Sequence, residues 1–320
     1  MAVYTDVTDD ALAGFLLDYD LGGLIAFRGI AEGVENSNFS LRTSAGDFIL
    51  TLYEKRVDPG ELPWFLGLMR HLAAEGISCP LPVAGRDGEA LRRLAGRPAA
   101  ITSFLSGVWP RRVRPEHCRQ LGETLARLHL AGLGYGPVRI NTLGPPAWQL
   151  LLERSRTDGD TVQAGLVAEL DLALGRILPA WPREGLPRGQ IHADLFPDNV
   201  FFLDRRLSGV IDFYFACTDL LAYDLAVCLN AWCFEMDWQF NVTKAALLVN
   251  GYESVRRLEE AERAALPVLA QGAAIRFLLT RLYDWLNRAP GALVTPKHPL
   301  DYLKRLRFHL AAEDVGAYGF

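Results

Sequence analysis

Little in this chain is suited to cross-linking or to soft-metal chelation. Its 320 residues include five cysteines, Cys79, Cys118, Cys217, Cys228 and Cys233, odd in number and without a Cys-x-x-Cys pair. A disulfide framework is therefore not expected, and the five read as buried free thiols. The six histidines are scattered with no His-Glu-x-x-His motif, which argues against zinc and leaves oxygen ligands for any metal. Long apolar runs are missing too: the uncharged stretches Pro98–Pro110 and Ile140–Leu152 are short and carry prolines, against the ~18 residues that a membrane span needs. The opening Met-Ala-Val-Tyr-Thr-Asp-Val-Thr-Asp-Asp lacks the basic and apolar regions of a secretory signal, so a cytoplasmic location without membrane association is the expectation. Basic charge is scarce, with 33 Lys and Arg against 38 Asp and Glu, a net charge of −5 and no clustered basic run. That balance argues against a nucleic-acid partner, which would call for a basic face. What is present is ordinary: 50% hydrophobic and 22% charged residues place the chain among globular proteins, long enough for two domains or one domain in two lobes. Small-molecule chemistry is the expectation.

The first hundred residues read as strand-rich. Thr8 or Asp9 can cap a short helix over Ala11–Leu17, and strands are expected at Leu24–Ile30 and Asn38–Thr43, flanking the loop Gly33–Asn38. Ser44–Asp47 is a hairpin turn, after which Phe48, Leu50 and Leu52 alternate with Ile49, Thr51 and Tyr53 as a strand requires. Asp58-Pro59 starts a helix in which Leu62, Phe65, Leu66, Met69 and Leu72 share a face up to Gly76. Cys79–Val83 is expected to re-enter the sheet, and Ala99–Leu105 is a further strand ending at Gly107. From Val108 the pattern turns helical: Pro115 opens a helix carrying Cys118, Leu121, Leu125 and Leu128 on one face until Gly132, and Val162–Leu178 is another. Pro179–Gly189 brings the chain to the surface, two short strands follow around 190–213, and helices complete the chain. The expectation is an α+β fold in two lobes, a small antiparallel-sheet lobe over 1–107 and a mainly helical lobe over 108–320.

The chemistry is concentrated in residues 189–213. His192, Asp194 and Asn199 satisfy H-x-D-x-x-x-x-N, and an apolar strand, a polar turn and a second apolar strand lead to Asp212-Phe213, the arrangement of a kinase catalytic hairpin. Phosphoryl transfer mainly requires an acceptor hydroxyl held in line with the γ-phosphate and charge neutralised by Mg²⁺. Asp194 can orient the hydroxyl and accept its proton. The Asn199 amide oxygen and the Asp212 carboxylate are hard ligands suited to Mg²⁺, and His192 braces the loop.

These residues make the chain resemble the aminoglycoside phosphotransferase-like small-molecule kinases, which have a protein-kinase-like fold. The resemblance covers nearly the whole chain. Within that group the stretches Gly29–Asn38, Phe48–Arg56, His192–Phe202, Ile211–Phe215 and Ala222–Glu235 are similar to those of the bacterial homoserine kinases of this type. The resemblance implies ATP and Mg²⁺ as cofactors and L-homoserine as the phosphoryl acceptor, on the route to threonine. It also implies a nucleotide loop at Gly33, Asn36, Ser37 and Asn38, and an adenine-binding connection at Ser103 and Leu105.

Departures from the protein-kinase pattern sharpen the reading. Ala193 replaces the Arg of H-R-D, Tyr214 replaces the Gly of D-F-G, and no Ala-Pro-Glu follows, so a protein substrate is not expected. The loop at 33–38 is not G-x-G-x-x-G, yet its place between two strands suits a backbone cover for phosphates. Thr51 stands where a phosphate-binding lysine is expected. The chain has four lysines. Lys55, which shares strand parity with Thr51, and Arg42 on the neighbouring strand are the alternatives for the ATP phosphates, with Glu61 a possible ion-pair partner. An amino-acid acceptor calls for an arginine at its carboxylate and a carboxylate at its ammonium. Arg276, Arg281 and Asp284 on one helix, and Asn230, Trp232 and Glu235 on another segment, are all available, and the sequence does not choose among them. Kinases for another small hydroxyl acceptor (aminoglycoside, choline or sugar) would share the same hairpin, and Thr51 also admits a nucleotide-binding pseudokinase.

Overall fold

The computed structural model describes residues 5–30, 36–54, 58–288, 297–312 and 314–320. The chain falls into two compact units, Met1–Gly107 with Ser208–Tyr214, and Val108–Leu207 with Phe215–Phe320.

The first unit opens with α1 (Asp9–Leu16), whose first turn is capped by the Thr8 hydroxyl accepting from the Ala11 N–H. Next come β1 (Leu24–Gly29), β2 (Ser37–Thr43), β3 (Gly46–Leu52), α2 (Leu62–Ala74), β4 (Arg92–Leu94) and β5 (Arg97–Ser103). The strands form one sheet in the order β1-β2-β3-β5-β4, with antiparallel neighbours. Leu50 and Leu52 of β3 join Leu12, Phe15 and Leu16 of α1 in a buried cluster. Thr51, of opposite parity, is also buried. The central strand is thus covered on both faces, which is why its sequence is nearly continuously apolar. Asp58 caps the turn before α2, and Gly76 ends it in the left-handed region at φ 82°.

Residues 79–83 re-enter the sheet beside β5, though not as a regular strand: Pro82 bridges Thr102, the Val83 N–H donates to the Ile101 carbonyl and the Ser103 N–H to that of Leu81. Pro80 and Pro82 remove the donors that a longer ladder needs, and β4 pairs with the other end of β5, at residues 97–99.

The second unit contains α3 (Pro115–Gly132), α4 (Pro145–Ser155), α5 (Leu166–Ala180), β6 (Arg188–Ile191), β7 (Val200–Leu203), β8 (Arg206–Val210), β9 (Cys217–Leu220), α6 (Leu221–Trp232), α7 (Val242–Glu253), α8 (Glu260–Leu286) and α9 (Leu300–Ala311). Strands β6 and β9 form an antiparallel pair. The chain passes from the second unit into the first within β8. Helix α4 was not expected: its two prolines sit in the first turn, where a missing N–H costs nothing. Helix α5 starts four residues later than the periodicity predicts, because Gly165 takes a left-handed conformation at its N-cap. It also runs past Pro179 instead of stopping there.

Helices α3 and α7 meet backbone to backbone. A Cβ at Gly122 would lie 2.0 Å from the Leu248 carbonyl oxygen, and one at Gly251 would lie 2.2 Å from that of Arg119. Helix α8 is long and apolar enough, by length and composition, to cross a membrane, but 67% of its most apolar window is buried inside the protein. An uncharged-run criterion overlooks it because Arg276 interrupts it.

His309, on α9, is fully buried. Asn230 donates through Nδ2 to the carbonyls of Ala226 and Ala270, so its Oδ1 accepts from His309 Nε2 at 3.1 Å. His309 Nδ1 then accepts from the Tyr318 hydroxyl at 3.0 Å. Burial, aided by the charge of Arg305, lowers the imidazole to about 3. The unfolded chain binds this proton near the ordinary value of ~6.5, and the folded chain does not. This contribution to stability is complete above that value. It falls by up to about 1.4 kcal/mol per pH unit as the pH drops from there toward 3. His309→Gln should flatten that part of the urea-unfolding profile, and an equally steep profile in the variant would contradict this account.

Candidate active site

Strand β6 ends at Ile191 and delivers His192, Ala193 and Asp194 into a tight turn. Asp224, fully buried in the first turns of α6, accepts the backbone N–H of His192 at 2.7 Å and that of Ala193 at 2.8 Å. His129 Nε2 lies 3.2 Å from the same carboxylate, with its Nδ1 2.8 Å from the Tyr252 hydroxyl. Burial alone would raise the Asp224 carboxyl, but the hydrogen bond and charge of His129 and the N–H of His192 hold it below its ordinary value. Arg276 donates to the Ala193 carbonyl, and the indole of Trp232, at the other end of α6, donates to the Leu195 carbonyl at 2.7 Å.

These contacts impose φ 62° on Ala193, a left-handed conformation that costs an L-residue about 1–2 kcal/mol. The turn thus has one backbone path, and Asp194 emerges from it half-buried. Asn199, closing the one-turn helix Pro197–Asn199, donates through Nδ2 to the Asp194 carbonyl at 2.8 Å and to its carboxylate at 3.2 Å. With Nδ2 used in this way, the amide oxygen is the atom presented elsewhere, as a cation ligand requires. His192 is fully buried, and its Nδ1 accepts the Asp194 N–H at 3.3 Å. This is a bracing geometry.

Asp212 belongs to the first unit, exposed and at φ 66°. Beside it lies a chain of hydroxyls. Tyr53 and Tyr214 are 2.8 Å apart, Tyr214 is hydrogen-bonded to Thr51, and Thr51 donates to Asn38 Oδ1 at 2.8 Å. Burial first raises both phenols; at Tyr214 the adjoining Tyr53 raises it further, and the nearby Asp212 charge adds to the rise at both. A neutral polar network therefore occupies the position where the sequence pattern leads one to expect a lysine.

The remaining nucleotide candidates divide. Asn36 accepts the Glu54 N–H through its side chain, and the Ser37 hydroxyl donates to the Glu54 carboxylate at 2.8 Å. Their side chains, like that of Asn38, are thus tied within the unit. Gly33 and Lys55 lie outside the described residues. Arg42 is bound by Asp47 across the β2–β3 hairpin in a two-pronged pair. Ser103 is engaged through its hydroxyl and N–H with the backbone of Leu81. Leu105 is half-buried against Gly209. Among the described residues, Phe104 and Leu105 make no backbone hydrogen bond.

Sequence reasoning overlooked Asp224 as part of the site. A single carboxylate in the apolar run Leu221–Leu229 was the available signal. Arg276, one of several choices for an acceptor carboxylate, is instead turned onto the Ala193 backbone. Asn230 belongs to the His309 network, and Glu235 is held by Lys244 at 2.6 Å and Asn241 at 2.7 Å.

The chain belongs to the phosphotransferase enzyme family, whose model matches residues 26–258. Its fold is the protein-kinase-like one, with an N-terminal antiparallel sheet and a helical C-terminal region, as expected. It superposes on an amicoumacin kinase solved with AMP-PNP and Ca²⁺ with a TM-score of 0.72 at 14% identity, covering 94% of this chain and 93% of that one. The chain is also 69% identical to the homoserine kinase of Gluconacetobacter diazotrophicus, over 100% of both chains. It is 66% identical to the homoserine kinase of Granulibacter bethesdensis, again over 100% of both.

Proposed function

We propose that this chain is an ATP-dependent homoserine kinase, transferring the γ-phosphate of ATP to the side-chain hydroxyl of L-homoserine to give ADP and O-phospho-L-homoserine. The observation that carries the acceptor's identity is the end-to-end identity with relatives named homoserine kinase. The clamped turn at 192–199 supplies the mechanism. The Asp194 carboxylate orients the acceptor hydroxyl toward the γ-phosphate and takes up its proton as the new P–O bond forms, while ADP leaves. His192 keeps the turn in place. Asn199, through its amide oxygen, and Asp212, through its carboxylate, are the residues that would hold Mg²⁺, which when bound neutralises phosphate charge. Since the side chains of Asn36, Ser37 and Asn38 are engaged elsewhere, the 33–38 segment serves the phosphates through backbone N–H groups, with Lys55 as the basic side chain. The Phe104 and Leu105 backbone supports adenine recognition beside Ser103. On this reading the unit containing β1–β5 binds nucleotide, and the helical unit binds the acceptor.

The test is ADP release with Mg²⁺-ATP and L-homoserine, D-homoserine, L-serine, choline, a methylthio sugar or an aminoglycoside. Saturable turnover on L-homoserine, at least tenfold above every other acceptor in kcat/KM, is expected. A higher kcat/KM on any other member would replace the acceptor, and ATP binding without turnover on any would favour a pseudokinase.

A further inference from the structure

Arg281 belongs to the second unit. It projects from α8 with its side chain only 14% exposed, and its nearest carboxylate oxygen, on Asp301, is 4.0 Å away. Among the described residues it makes no hydrogen bond. Its guanidinium lies instead over two rings, 4.5 Å from the centre of Tyr302 and 5.9 Å from that of Phe196. Such a group offers five N–H donors in a planar fork, and among the described residues none of them finds a protein acceptor within hydrogen-bond distance.

Its neighbours share the condition. Arg305 of α9 also packs 4.5 Å from the centre of the Tyr302 ring. Among the described residues its one hydrogen bond is a 3.4 Å contact to the Asp301 carbonyl, and its Nε is buried without a partner. The Tyr302 hydroxyl is likewise buried and unpartnered, on a side chain with no solvent exposure. Burial first lowers Arg281, aided by the repulsion of Arg305, while Tyr302 foremost, then Asp301 and Asp194, oppose the change. The charge of Asp194 is also felt at Tyr302. Two guanidiniums and a phenol, short of acceptors, thus lie within electrostatic reach of the carboxylate assigned to the acceptor hydroxyl. By contrast, Lys297 on the same aromatic surface is paired with Asp198 at 3.2 Å.

We infer that Arg281, supported by Arg305 and the Tyr302 hydroxyl, binds the α-carboxylate of the amino-acid acceptor and sets the enzyme's preference for an acceptor that carries one. This deepens the homoserine kinase reading and rests on it. A carboxylate matches the planar fork through two parallel hydrogen bonds. The rings of Phe196 and Tyr302 flank the fork and restrict the water that would otherwise compete. L-Homoserine has its hydroxyl and carboxylate at opposite ends of a short chain, so one molecule can reach both Asp194 and this pair.

The experiment compares L-homoserine with two analogues that keep the hydroxyl and ammonium but lack the carboxylate charge, L-homoserine amide and 3-aminopropan-1-ol. Wild-type enzyme should favour L-homoserine over each by about 100-fold or more in kcat/KM, and Arg281→Met should reduce that preference to within about tenfold. The change should fall mainly in the KM for the amino acid, with the KM for ATP moving less than about twofold. Arg281→Lys, which keeps the charge and loses the fork, should recover part of the preference. Equal use of the three acceptors by the wild type would overturn the inference without any variant having to fold. So would an unaltered preference in Arg281→Met. A raised KM for ATP with the acceptor preference intact would give the arginine to the nucleotide phosphates and overturn it as well. Wild-type enzyme that does not phosphorylate L-homoserine at all would remove the acceptor reading itself, an outcome separate from these three.

Discussion

Asp194→Asn should lower kcat on L-homoserine by on the order of 10³-fold while leaving the KM for ATP within a few-fold. The substitution preserves shape, and the turn that carries residue 194 is held mainly through backbone groups, with one 3.2 Å contact from Asn199 to the carboxylate. Asp224 holds the N–H groups of His192 and Ala193, Arg276 and Trp232 hold the carbonyls of Ala193 and Leu195, and Asn199 reaches the Asp194 carbonyl at 2.8 Å. What disappears is the anionic oxygen that aligns the hydroxyl and receives its proton. An amide can still hydrogen-bond the acceptor, so the loss belongs in kcat more than in the KM for homoserine. Steady-state kinetics with both substrates varied gives the result. A kcat within tenfold of wild type would remove Asp194 from its assigned role.

Asp224→Ala acts on the same turn from beneath and should be the most destabilising single change at the site. It strands the N–H groups of His192 and Ala193 and the His129 ring in a region with no solvent access. Removing one partner from a buried charged network costs about 3–5 kcal/mol. It also releases the clamp that keeps Ala193 at φ 62°, so the turn can relax and Asp194 can leave its position. The expected result is a urea midpoint lowered in proportion, and, at low temperature where the variant remains folded, a kcat depressed together with that of Asp194→Asn. Asp224→Asn keeps one acceptor oxygen and should fall between the two proteins in stability. A loss below about 1 kcal/mol with normal turnover would show that the turn is fixed by other means.

The difference between Asp194 and Asp224 also explains what could be read in advance. His192, Asp194 and Asn199 lie within eight residues, so the requirement for a base and a hard ligand on one turn is written in local spacing. Asp224 reaches that turn from another helix, and its role arises only when α6 packs beneath β6. The two arginines of α8 differ in the same way. Both are basic residues in an apolar helix, but Arg276 finds a carbonyl, whereas Arg281 lies over aromatic faces with a carboxylate oxygen no nearer than 4.0 Å. That distinction depends on α9 and the 194–199 turn, which periodicity in α8 does not encode. The sheet was legible where alternation and turn chemistry agreed, as at β2 and β3. The return to the sheet at 79–83 was legible as well, but the prolines there limit it to a short bridge beside β5. Thr51 was recognised as a missing lysine, whereas the hydroxyl chain that takes its place needed Tyr214, which is distant in sequence, to be brought against it.

All five cysteines are buried and unpaired. Burial first raises Cys79 and Cys217 to about 12, and it raises Cys228 and Cys233 as well. The native protein therefore presents a sulfhydryl reagent with almost nothing to attack, since the reacting species is the exposed thiolate. Cys79 is the cysteine of the first unit, and the other four belong to the second. Alkylation followed by peptide mapping would thus act as a clock on each unit separately, recording how often it opens without any engineered label.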